Sequence, residues 1–302
     1  MKKLIAAILA LCLALGGAAL AEEAKIGILV PEGEGGEAAA VAYWAEERAI
    51  ELGVPYMLCA CADEKTGMEQ LDDMNVWGAL ALVICPGFEG AQNVADAARD
   101  VGLGVVSVNT ELDGAFLARA DDYDIGVQSA YFAADALEGA GEIAALVSSG
   151  REAQDRLAGF TDALEEIAPG LTVVEVQIVT TSRRQARDAM AELLDARERV
   201  DALFVSDDLI ALGVWDALDA AGREDVCTVI SCGGRQEFLR LIRDSEAVSL
   251  CTALRAAAPA MDAVDMAYLL ALGEAVKSVR VSDADMVTRE NVAEYMDPEN
   301  PY

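Results

Sequence analysis

Several stretches of this chain have residue types and spacings that could do chemistry. Gly33-Glu34-Gly35-Gly36-Glu37-Ala38 follows a short apolar run and fits the G-x-G-x-x-A pattern of a dinucleotide-binding turn. Asp207-Asp208 follows another apolar run and could serve as paired carboxylates. Each reading meets an obstacle in the same sequence. A pyrophosphate site wants backbone N–H groups and positive charge, and Glu32, Glu34 and Glu37 would confront it with carboxylates. The chain contains no histidine, which removes the usual imidazole base, the Ser-His-Asp and Cys-His nucleophile systems and the mixed Cys/His zinc sites. Asp207-Asp208 reads at least as well as a helix N-cap followed by a first-turn acid. The sequence therefore predicts a non-enzyme with no cofactor and no metal.

The elements around these residues set the context. Residues 1–21, MKKLIAAILALCLALGGAALA, have the form of a secretory signal peptide: Lys2 and Lys3, an apolar run, and Ala19-Leu20-Ala21 as a small-x-small cleavage site. The run is shorter than the roughly 20 apolar residues that span a bilayer, so a periplasmic or extracellular protein is expected. Lipid attachment at Cys12 is disfavoured because Leu11 rather than a small residue precedes it. A net charge of −31 repels nucleic acid and anionic lipid, which excludes both as partners. Export permits disulfides. Cys59, Cys61, Cys85, Cys227, Cys232 and Cys251 each read as small buried hydrophobes, and Cys232 with Cys251 is the pair most worth expecting as a bridge.

From Lys25 onward, short runs rich in Val, Ile and Leu alternate with helix-length stretches whose apolar residues recur three and four apart. Strands are expected at 25–30, 55–61, 79–85, 104–108, 142–148, 171–179, 201–206, 227–231 and 247–252, with helices between them. Strands apolar on both faces and separated by helices form parallel sheets covered on both sides. The fold class is α/β, with two doubly wound parallel-sheet lobes. In such sheets ligands bind beyond the carboxyl ends of the strands. The loops there are 31–37, 86–89, 109–114, 149–154, 207–208 and 233–236.

The order and spacing of several segments resemble the extracytoplasmic sugar-binding proteins of ABC importers, the type I periplasmic binding proteins related to ribose and galactose binders. These segments are AEERAIELGVPY (45–56), ALALVICPG (79–87), DDYDIG (121–126), QDRLAGF (154–160), DALFVSDDLIALGVWDAL (201–218) and VTRENVAEYM (287–296). The resemblance implies two lobes closing on a ligand, joined by three crossovers near 121–125, 252–255 and 280–284. The first lobe would be 22–121 plus 252–278, and the second 122–251 plus 279–302. Carried over residue by residue, the family's ligand positions fall on Glu37, Asn109, Gln154, Asp207, Gly233 and Leu254, while Arg156 and Asp208 keep family residues. Glu37 stands where ribose binders have an aromatic, Gln154 where they have an arginine, Gly233 where they have an acid and Leu254 where they have a glutamine. Glu32, Glu34, Glu111 and Arg235 complete the candidate ligand-binding set. Such a set suits a sugar held by amides and carboxylates, or an amine-bearing ligand, because desolvated carboxylates favour opposite charge. The implied function is that of a monomeric receptor that captures a small-molecule ligand and passes it to an ABC importer permease. The alternative is a receptor of the same fold feeding a membrane sensor kinase or chemoreceptor.

Overall fold

The computed structural model describes residues 24–33, 36–224, 227–246 and 249–297. The signal-peptide segment and Glu34 lie outside the described residues. The chain divides into two compact units, one running up to Arg119 and again over Ala256–Ser282, the other over Ala120–Arg255 and from Asp283 onward. The first passage is β1 (Ile26–Pro31), α1 (Gly36–Leu52), β2 (Tyr56–Cys61), α2 (Glu64–Trp77), β3 (Ala81–Ile84), α3 (Ala91–Asp100), β4 (Gly104–Val108) and β5 (Phe116–Ala120). The second unit follows with α4 (Asp122–Ala136), β6 (Ala140–Val147), α5 (Arg151–Ile167), β7 (Gly170–Ile178), α6 (Arg183–Ala196), β8 (Ala202–Val205), α7 (Asp208–Ala221), β9 (Thr228–Cys232), α8 (Gln236–Asp244) and β10 (Leu250–Ala253). The chain returns to the first unit as α9 (Ala257–Ala271) and β11 (Val279–Ser282), and the short strand β12 (Met286–Val287) belongs to the second.

Each unit holds a six-stranded sheet, β11-β5-β4-β3-β1-β2 in the first and β12-β10-β9-β8-β6-β7 in the second. Strands β1 to β5 pair in parallel, as do β6 to β10, while β12 runs antiparallel to β10. The central strands β3 (ALVI) and β8 (ALFV) are buried along their whole length, as their unbroken apolar runs require. In the second unit the core is anchored by Phe160 of α5 stacked on Phe204 of β8, with ring centroids 4.3 Å apart. Two glycines bring α4 and α5 into close contact. A Cβ on Gly126 would lie 2.0 Å from the Arg156 carbonyl oxygen, and one on Gly159 2.0 Å from that of Tyr123. These contacts fix Arg156 relative to the start of α4.

The chain passes between units at 119/120, 255/256 and 282/283, which moves two segments relative to the sequence expectation. Residues 252–255, expected in the first lobe, finish β10, whose Thr252 and Ala253 pair with Ser231 and Cys232 of β9 in the second. Residues 279–282, expected in the second lobe, form β11 beside β5 in the first. Strand pairing decides both cases. Strand β5 (FLARA) escaped the sequence reading because alanine and arginine interrupt its apolar pattern. Helix α4 starts at Asp122, where the Asp121 carboxylate accepts the Asp124 N–H at 3.1 Å and caps it. No helix among the described residues is long and apolar enough to cross a membrane.

Candidate ligand-binding site

At the carboxyl ends of the second unit's strands, Asp207 and Asp208 do different jobs. Asp207 is the N-cap of α7: its Oδ1 accepts the Leu209 N–H at 2.7 Å, and among the described residues its other oxygen has no partner. Burial and the adjacent Asp208 charge push the Asp207 carboxyl from the ordinary 3.8 up to about 6, against the pull of the Leu209 N–H and of the Arg235 and Arg156 charges. Asp208 is fully buried and fully used. Its Oδ1 accepts the hydroxyls of Ser231 at 2.6 Å and Thr252 at 2.7 Å, and its Oδ2 accepts the backbone N–H groups of Gly234 at 2.6 Å and Arg235 at 2.7 Å. Burial raises its pKa and those four donors oppose the rise. Asp208 therefore holds the loop after β9 to the ends of β9 and β10.

That loop needs the anchor. Gly234 sits at φ 104, and a Cβ there would lie 2.3 Å from Leu254 Cδ2. Leu254, expected to face a ligand, is instead buried beneath Gly234 and supports the turn. Gly233 donates its N–H to the Ala253 carbonyl at 2.8 Å, and Arg235 is the N-cap residue of α8. Gln154 is partly buried on the first turn of α5, and its amide nitrogen donates to the Ser148 carbonyl at 2.8 Å.

A second charged cluster lies beside the first, and the sequence reading did not assemble it. Asp122 accepts Arg156 Nη1 and is gripped by Arg255, Nε to Oδ1 at 2.7 Å and Nη2 to Oδ2 at 3.1 Å. All three side chains are nearly buried, so the ion pairs act with little solvent screening. Arg156 Nη2 donates to the Ser206 carbonyl at 3.1 Å, and its buried Nε has no partner among the described residues. Arg156 was visible in QDRLAGF and Asp122 in DDYDIG. Arg255 carried no local signal.

The first unit presents a different face. Glu32, Glu37 and Glu111 are exposed. Glu37, in the first turn of α1, accepts Asn109 Nδ2 at 2.6 Å. Asn109 is buried at the end of β4 in the left-handed region, φ 57, which asparagine tolerates better than most residues. Structure thus joins Glu37 to Asn109, leaves Glu32 and Glu111 in solvent, and does not describe Glu34.

The expected Cys232–Cys251 bridge is corrected: both are free thiols. In the parallel β9–β10 ladder Cys232 faces Ala253 and Cys251 faces Ile230, so the two are diagonal neighbours. Diagonal separations of roughly 7–8 Å exceed the reach of a disulfide. Burial pushes the Cys232 thiol up to about 11, so it is inert as a nucleophile. Among the described residues no group of His, Cys, Asp or Glu side chains could hold a metal ion.

The sequence profile of the periplasmic binding protein domain family matches residues 26–275. The chain belongs to that family. It is 27% identical over 237 residues to the D-apiose import binding protein of Actinobacillus succinogenes, covering 76% of each chain. It is 26% identical over 206 residues to the ribose import binding protein of Bacillus subtilis, covering 66% of each. Among solved structures, the sugar-binding protein of a sugar ABC transporter from Bacillus halodurans matches with a TM-score of 0.77 at 19% identity, over 90% of this chain and 99% of that one. The family is one of binding proteins, and the two parallel-sheet α/β units are its type I fold.

Proposed function

We propose that the protein captures a sugar or sugar-like polyol outside the cytoplasm and delivers it, as a monomer, to the permease of an ABC importer. The observation that carries the ligand class is a pair of unmet hydrogen-bonding groups in the second unit. The open oxygen of Asp207 asks for a donor, and the buried Nε of Arg156, whose charge acts on Asp207, asks for an acceptor. A hydroxyl is both donor and acceptor, so a polyol serves both groups from one molecule. The buried Nε of Arg156, left unmatched, costs about 1–3 kcal/mol, which a fitting acceptor recovers. The import names of the D-apiose and ribose relatives support the same class. The signal-peptide form of residues 1–21 supports an extracytoplasmic location, and the lack of any histidine supports binding without catalysis. Thermal shift with D-ribose, D-apiose, D-allose, L-arabinose and myo-inositol tests the reading. A ligand present at 100 times its Kd stabilises by about 2.7 kcal/mol, a shift of several degrees. A folded protein indifferent to every polyol would contradict the proposal.

A further inference from the structure

We propose that the captured molecule is an amine-bearing polyol whose ammonium sits on the open oxygen of Asp207, a ligand class that rests on the solute-capture reading above. The charges around the second unit's strand ends are unequally committed. Arg255 gives two bonds to Asp122, Arg156 gives Nη1 to Asp122 and Nη2 to the Ser206 carbonyl and keeps its Nε for a ligand hydroxyl, and Asp208 has both oxygens filled by four donors. Gln154 is neutral, with its amide nitrogen on the Ser148 carbonyl, so it offers no fork for a carboxylate or phosphate on the ligand. Asp207 is the acid in this cluster with an oxygen to give.

Its surroundings favour a cation there. Burial raises the carboxyl to about 6 against the pull of Arg235 and Arg156, so near pH 7.5 it stands as a partly desolvated carboxylate, the charge an ammonium pairs with. A charge-assisted hydrogen bond from an ammonium is roughly twice as strong as one between neutral groups.

The test is isothermal titration at pH 7.5 with matched pairs: myo-inositol against a monoamino-inositol, and D-glucose against D-glucosamine, with N-acetyl-D-glucosamine as the uncharged nitrogen control. Within at least one pair the amine binds tenfold or more tightly, and acetylation removes the gain. In Asp207→Asn the ratio falls toward one. Because Asp207 caps α7, Asp207→Ser, which keeps a capping oxygen and removes the charge, is titrated in parallel after a thermal melt shows that it folds. A neutral sugar that binds while both amines bind no better than their parents overturns this inference and leaves polyol capture standing. An amine preference that survives both substitutions overturns the seat at Asp207. Silence toward every polyol, amine or neutral, overturns both readings.

Discussion

At the strand ends of the second unit Asp208 is buried and matched by four donors and Asp122 by two arginines, whereas at those of the first unit Glu32 and Glu111 stand in solvent and the exposed Glu37 accepts from Asn109. The difference is one of preorganisation. In the second unit the loop after β9 cannot move without breaking the Asp208 contacts. The open oxygen of Asp207 is therefore presented from a fixed frame, and a ligand binding there bears little cost of ordering the protein. In the first unit Glu32 and Glu111 remain hydrated, and the one tie at an exposed carboxylate described above is that of Asn109 to Glu37.

Substitutions at matched positions should separate the two regions. Asp122→Ala strands Arg156 and Arg255 with uncompensated buried charge, and we expect a loss of about 3–5 kcal/mol in chemical denaturation. Asp208→Ala leaves two hydroxyls and two backbone N–H groups unmet; the hydroxyls can turn elsewhere but the amides cannot, so the expected loss is about 2–3 kcal/mol by the same measurement. Asp207 produces a pH signature rather than a fixed loss. Between about pH 4 and 6 the folded protein keeps a proton on Asp207 that the unfolded chain has released, so this group's contribution is full below that window and falls as pH rises through it. The stability difference between wild type and Asp207→Asn, taken from denaturant midpoints at pH 4.5 and 6.5, should shrink in that direction. Glu37→Gln should change stability by no more than about 0.5 kcal/mol, because the amide oxygen can still accept from Asn109 at an exposed site. A loss at Glu37 as large as that at Asp122 would erase the contrast between the units.

Most of the fold could be read from the chain because its signals are local. The runs ALVI and ALFV announce buried parallel strands, and the glycines of DDYDIG and QDRLAGF lie where α4 and α5 touch. What escaped depends on distant partners. Asp122 and Arg255 are 133 residues apart, and nothing in either neighbourhood announces that they meet. The Cys232–Cys251 expectation failed on strand register, which two separated thiols do not reveal. Leu254 was placed by resemblance at a ligand position, yet its role follows from the positive φ of Gly234 above it, a backbone property that its own residue type does not encode. That Asp207 and Arg235 lie in loops at the ends of β8 and β9 could be read from the chain, because a position after a strand is itself a signal in a parallel sheet.

The most direct test of the account is the affinity of one saturable polyol for wild type and for Asp207→Ala, measured by calorimetry alongside Glu37→Ala. The account predicts a loss of tenfold or more in Asp207→Ala and a smaller loss in Glu37→Ala. Equal affinity in wild type and Asp207→Ala, with both proteins folded, would contradict the claim that the second unit's fixed cluster grips the ligand.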